Sequence, residues 1–256
     1  MKQITSSAKR WKPAVIFVGL AWMILAGIAV AASHDEDILW IGRFSETKID
    51  KGFPDDWQPI TFESIPEHSQ YQLTKDGGRV VVKATSKSAS SGIGKKVRIN
   101  LKEYPYIHWS WKAVNTLPKS KIGQKAGDDY PARVYIAFKY DSDKATFAEI
   151  FEQQVGKKVF GKDLPGSAIA YVWATSDPIG TIAPNPYTKR LRMVVVQSGQ
   201  RYINNWVEEK RNIYEDYKKA FGKEPTEVSS IVIMTDTDNT QDSAVAYYGD
   251  IYLSKR

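Results

Sequence analysis

Tyr71-Gln72-Leu73-Thr74, Asp76-Gly77-Gly78 and Val80-Val81-Val82-Lys83-Ala84-Thr85 read together as a β-hairpin, and that reading decides the fold class. The adjacent glycines supply the positive φ of a tight turn, and β-branched residues follow them. Working outward, further strands are predicted over 94–101, 106–114, 132–140, 168–175, 191–197, 228–235 and 245–253. This many short strands, with no internal repeat and no Pro, Gly or Ser linker, predict one mostly β domain, a jelly-roll-like antiparallel β-sandwich with two peripheral helices. One helix is signalled by Phe147, Ile150, Phe151, Gln154 and Val155, with Asp143 as N-cap and Gly156 as stop. The other is predicted from about Trp206 to Phe221, with Asn205 and Glu208 at capping-box spacing and Gly222 beyond.

Ahead of these elements stands a different kind of segment. Lys2, Lys9, Arg10 and Lys12 precede an apolar run from Ala14 to Ala32, which ends in Ala29-Val30-Ala31 and the polar cluster 33–37. That order predicts a secretory signal over 1–32, cleaved after Ala31 or Ala32, and a domain over 33–256 that is periplasmic or secreted. Uncleaved, the run approaches the ~20 residues that cross a bilayer, so the membrane enters only through this segment. Its loss lowers the formal charge of +7 by four, to +3. The remaining Lys and Arg alternate with acids, which predicts no nucleic-acid partner. Zero cysteines exclude disulfides, thiolate metal sites and a cysteine nucleophile.

Strand alternation sorts the aromatics. Ile107, Trp109, Trp111 and Ala113 share one face of their strand, which makes the tryptophans core. Ala132, Val134, Ile136 and Phe138 face inward likewise, leaving Arg133 and Tyr135 on the other side, while Tyr171 and Trp173 are the polar-edged set of theirs. Were these second faces to form one concave sheet, His108, Arg133, Tyr135, Tyr171 and Trp173 would line a groove suited to sugars, whose C–H faces stack on rings and whose hydroxyls need planar partners. An ordinary solvated or covered sheet face is the alternative.

Two acidic stretches bracket the chain's chemistry. Asp128 and Asp129 precede Arg133 closely enough for an Asp–Arg pair to hold the loop, although neighbouring carboxylates can also divide into acid and base. Asp236, Asp238, Asn239 and Asp242 offer oxygen ligands at near-alternating positions, which suits a structural Ca²⁺. The stretch lacks the glycine and terminal glutamate of an EF-hand, and an Asx-type turn is the metal-free alternative. Asp250, in the final strand, needs a partner, and an arginine across the sheet would serve. His34, His68 and His108 are too scattered for a zinc site, and no G-x-S-x-G, P-loop or dinucleotide fingerprint occurs.

Taken together, Gly127-Asp128-Asp129 running into Arg133-Val134-Tyr135, then Tyr171-Val172-Trp173, Asn185-Pro186, Ser198-Gly199, Arg211-Asn212, Asp216-Tyr217 and Met234-Thr235-Asp236-Thr237-Asp238-Asn239-Thr240 resemble a family of exported bacterial proteins of unknown function. The resemblance implies export and a single domain, and it offers no activity to carry over. The closing Tyr247-Tyr248-Gly249-Asp250-Ile251-Tyr252-Leu253 is similar to the last strand of jelly-roll carbohydrate-binding modules.

Three functions follow as expectations. The first is binding of a glycan or other envelope ligand through Arg133, Tyr135, Tyr171 and Trp173, with the Asp128/Asp129 and Asp236/Asp238 loops at the rim. The second is a polysaccharide-active enzyme: a lyase using His108, Tyr135 and Arg133 for β-elimination, or a hydrolase using Asp128 or Asp129. The third is an envelope assembly or stress protein without a small ligand, marked by an exposed apolar patch.

Overall fold

The computed structural model describes residues 37–141 and 166–256. The signal segment, its cleavage site and the helix expected around Phe147 lie outside them.

The hairpin forms as read. β3 (Gln70–Asp76) pairs antiparallel with β4 (Arg79–Lys87), and Gly77 and Gly78 turn between them with φ of +58° and +83°. Two consecutive positive φ values give the twist that flanking strands need, and only glycine adopts both without cost.

Around it two sheets form a β-sandwich. The six-stranded sheet runs β11 (Val207–Asn212), β6 (Tyr106–Ala113), β13 (Ser243–Ser254), β4, β3, with β1 (Ile38–Gly42) added alongside β13. The seven-stranded sheet runs β2 (Gln58–Ile60), β5 (Ser90–Ile99), β12 (Val228–Asp236), β7 (Arg133–Phe138), β8 (Ser167–Ala174), β10 (Leu191–Ser198), β9 (Ile182–Pro184). Its pairs are antiparallel except one: β10 runs parallel to β8, because the chain first lays β9 at the outer edge and then turns back. The expected all-antiparallel sandwich is therefore mixed in one sheet.

Between the sheets lies the main core. Trp109 stacks on Tyr171 with ring centres 5.2 Å apart, and Trp111 meets Trp173 at 5.9 Å. A smaller core packs Ala170, Val172, Ala174, Met193 and Val195 beneath Tyr130 on the opposite side of the seven-stranded sheet. β8 is thus buried on both faces, as strands with parallel partners commonly are.

The second predicted helix is shorter than expected. α1 covers Ile213–Phe221, capped by the Asn212 side chain, which accepts from the Glu215 N–H, and stopped by Gly222 at φ +70°. Val207–Asn212, read as its first turns, is β11 and pairs with β6. Asn212 and Glu215 repeat the spacing of Asn205 and Glu208. The later pair caps the helix because the earlier segment finds an open strand edge.

Candidate functional site at the loop end of the seven-stranded sheet

The five residues expected to share a groove do not share a surface. Tyr171 and Trp173 are fully buried between the sheets. The cross-strand register forces this, since Val134 faces Tyr171 and Arg133 faces Val172, so Tyr171 follows the inward set of β7. In a strand with no polar face, hydroxyl and indole edges do not mark the outside. His108 stands on the outer face of the six-stranded sheet, stacked on Tyr252 with ring centres 4.5 Å apart, its Nε2 2.8 Å from Ser254 Oγ. Burial, and then Lys210, holds the His108 pKa below its usual value. Arg133 and Tyr135 lie on the outer face of the other sheet, so the three residues of the lyase reading are not brought together.

Arg133 organises what is present. It opens β7 directly after the 128–132 loop, on the face opposite Val134, where that loop folds over it. Its side chain is 2% exposed. One guanidinium nitrogen donates to the Asp128 carbonyl and to the Asp236 carboxylate; the other donates to Tyr135 Oη at 3.0 Å and lies 3.6 Å from Asp128 Oδ1. The guanidinium carbon sits 4.5 Å from the centre of the Tyr130 ring. Burial disfavours this cation, yet Asp236, Tyr135 and Asp128 outweigh it, and Arg133 stays protonated.

The carboxylates tie further segments to it. Asp236 Oδ1 accepts from the Tyr130 N–H, and Asp128 Oδ2 from Asn185 Nδ2 at 2.7 Å. Asp129 accepts from the backbone N–H groups of Asn239 and Thr240. Asn185 Oδ1 accepts from the Tyr187 N–H, and Tyr187 Oη accepts from Asn239 Nδ2 at 2.9 Å. The 128–131 loop, the start of β7, the turn at 185–187, the end of β12 and the loop after it are all hydrogen-bonded into one unit. Tyr187 is its outermost member, 57% exposed, with the Lys125 ammonium 5.3 Å from its ring centre.

This arrangement decides between two roles for the acids. Asp128, Asp129 and Asp236 are 5%, 0% and 3% exposed, and Asp129 is occupied by two amides. A general acid and base must reach the substrate, so the geometry does not support hydrolysis by Asp128 or Asp129. Holding a cation requires no such access. Asp129, Asp236 and Asp238 each offer an oxygen, all within 4.8 Å of one another. Of the four expected ligands, Asp236 and Asp238 are thus joined by Asp129. Asn239 turns its amide to Tyr187, and Asp242 accepts from the Ser243 N–H away from the triad. The pKa values of Asp236, Asp128 and Asp238 are all raised, in each case chiefly by burial; neighbouring carboxylates add to it, and Arg133 opposes them.

Sequence reading missed Asn185 and Tyr187 as members of the site. Asn185-Pro186 reads as turn chemistry, and nothing local ties it to Asp128, 57 positions away. Asp250 was expected to meet an arginine; it accepts instead from the N–H and hydroxyl of Ser45.

No curated protein matches the chain. Among solved structures, it is similar to the glycoside hydrolase domain of Endo-D (Spr0440) from Streptococcus pneumoniae R6, with 10% identity, 78% of this chain and 21% of that one covered, and a TM-score of 0.33. It is similar to an exo-β-agarase with 10% identity, 84% and 24% coverage and a TM-score of 0.34. It is also similar to the cellulose induced protein Cip1, with 11% identity, 84% and 97% coverage and a TM-score of 0.35. The chain therefore spans about a fifth and a quarter of the first two proteins. Residues 55–252 match the family described as protein of unknown function (DUF3047), and the chain belongs to that family.

Proposed function

We propose that the protein is an exported binding domain that holds a divalent cation, Ca²⁺ by its all-oxygen ligands, at Asp129, Asp236 and Asp238, and takes a glycan or other envelope ligand on the rim formed by Tyr187, Asn239 and Asp238. One observation carries the reading: an exposed tyrosine is fixed through Asn185 and Asn239 to a buried Arg–carboxylate network, so its ring is pre-organised at little entropic cost. The local charge balance supports the cation. Asp128, Asp129, Asp236 and Asp238 face one another around a single buried arginine. Asp128 Oδ1 and Thr240 Oγ1 are buried without a hydrogen-bond partner, which leaves polar capacity in the network. Export rests on the charged and apolar order of residues 1–32.

Thermal-shift and calorimetric titrations of the full chain with neutral and acidic polysaccharides, each with Ca²⁺ and with chelator, test both parts. Calcium at a hundred times its dissociation constant is expected to stabilise the fold by ~2.7 kcal/mol, and Asp238→Asn to abolish that gain. Tyr187→Ala is expected to weaken glycan affinity about tenfold with the melting temperature unchanged. Equal stability in calcium and chelator would remove the cation, and undiminished affinity in the tyrosine variant would remove the rim.

A further inference from the structure

The six-stranded sheet contains an interruption that the loop end does not use. β13 has β6 along one side, whereas two strands share the other: β4 pairs with Ser243–Tyr248 and β1 with Ile251–Ser254. Gly249 and Asp250 fall between them. On the β6 side the register also breaks between Tyr248 and Ile251, so both residues oppose Ser110 alone, which is a β-bulge. A seam thus crosses the outer face where β1 and β4 fail to meet, and a groove of about 190 Å³ lies along it.

Its walls and floor differ in chemistry. One wall is a row of rings standing across three strands: Trp40 and Tyr252 are register partners 5.0 Å apart, and Tyr252 stacks on His108. Tyr252 lies face to face with His108 and is tilted by 52° against Trp40, so the row offers ring edges to the groove, and these carry the positive end of the aromatic quadrupole and attract oxygen. The floor is Ser110 and Gly249, where a Cβ would collide with the Ser110 hydroxyl. Glu208 and Asp250 add carboxylates, and Arg79 a cation at the start of β4. Asp250 gives one lone pair of each oxygen to Ser45 and retains others.

We propose that this seam is a binding site for one neutral, hydroxylated ring, a single pyranose unit. The volume is below the ~300–1,000 Å³ of sites for drug-sized ligands, which limits the occupant to about one ring. The two carboxylates accept from hydroxyls and disfavour an anion, while Arg79 and the ring edges meet hydroxyl oxygens and oppose a strong cation. The site is independent of the loop-end rim, because it lies on the other sheet and shares none of its residues.

Saturation-transfer NMR and titration of the full chain with glucose, galactose, mannose and N-acetylglucosamine, alongside glucuronate and glucosamine, test it. At least one neutral sugar is expected to bind more tightly than its charged analogue. Glu208→Ala, at an exposed position, is expected to weaken that binding about tenfold. Gly249→Ala, which asks only the Ser110 hydroxyl to rotate, is expected to abolish it in a chain with an unchanged melting temperature. Tyr187→Ala leaves it unaltered. No binding by any neutral sugar, tighter binding of a charged analogue, or loss in Tyr187→Ala with retention in Glu208→Ala would each overturn the assignment; the last would leave the loop-end reading standing.

Discussion

At the loop end of the seven-stranded sheet, Arg133 and Asp236 are buried and bonded to one another. At the seam of the six-stranded sheet, Glu208 is exposed and Asp250 leans on a serine. Both places gather charge and aromatic rings, yet the first is closed around its own charges and the second is open beside them. The contrast teaches where energy is held. A buried pair contributes little over a well-packed apolar pair, but removing one partner strands the other, whereas an exposed charge is solvated with or without its neighbour.

The largest expected effect follows from breaking the closed region. Arg133→Met leaves Asp236 buried and the Asp128 carbonyl without its donor, at a cost of about 3–5 kcal/mol. Urea unfolding in chelator measures it, and a loss under about 1 kcal/mol would mean that the carboxylates are already neutral.

An intermediate effect sharpens the comparison through pH. Burial holds Asp128, Asp236 and Asp238 above the ordinary carboxylate range. Between about pH 4 and those raised values, the folded chain therefore binds more protons than the unfolded one. The contribution of these groups falls as pH rises through that interval and is regained on acidification toward about 4. Asp76, the last residue of β3 at the hairpin turn, is shifted the other way by its hydrogen bond from Lys112, so its contribution is lost only as pH falls below the ordinary carboxylate range. Urea midpoints from pH 7 to 4.5 in chelator are expected to rise more in the native chain than in Asp238→Asn. Parallel profiles would contradict the shift.

The smallest effect lies at the open region. Glu208→Ala is expected to change stability by no more than about 0.5 kcal/mol, since its carboxylate faces water on an edge strand. A larger loss in the same unfolding experiment would show the seam to be a structural joint.

What the sequence disclosed tracks the range of the interaction. The Gly77-Gly78 turn is local chemistry and was fully legible, and so was the inward set Ile107, Trp109, Trp111, because the opposite face of that strand is polar. Tyr171 and Trp173 misled because β8 has apolar residues on both sides, and alternation carries no direction there. The pairing of Asp128 with Arg133 could be anticipated across five residues. The contact of Arg133 with Asp236 spans 103 positions, and no periodicity announces it. Gly249 was visible as a letter and silent as a bulge, since its role depends on Ser110 in another strand.

The position of β13 reaches into how the chain is made. This strand follows every other described strand in sequence, yet it is the one to which β1, β4 and β6 all attach. During vectorial synthesis, the edges that these three turn toward β13 therefore emerge unclaimed and wait for a segment made after them. Folding of that sheet is a closing event rather than a progressive one. A nascent chain paused before residue 243 carries an open template, one that a chaperone can keep unfolded at little thermodynamic cost.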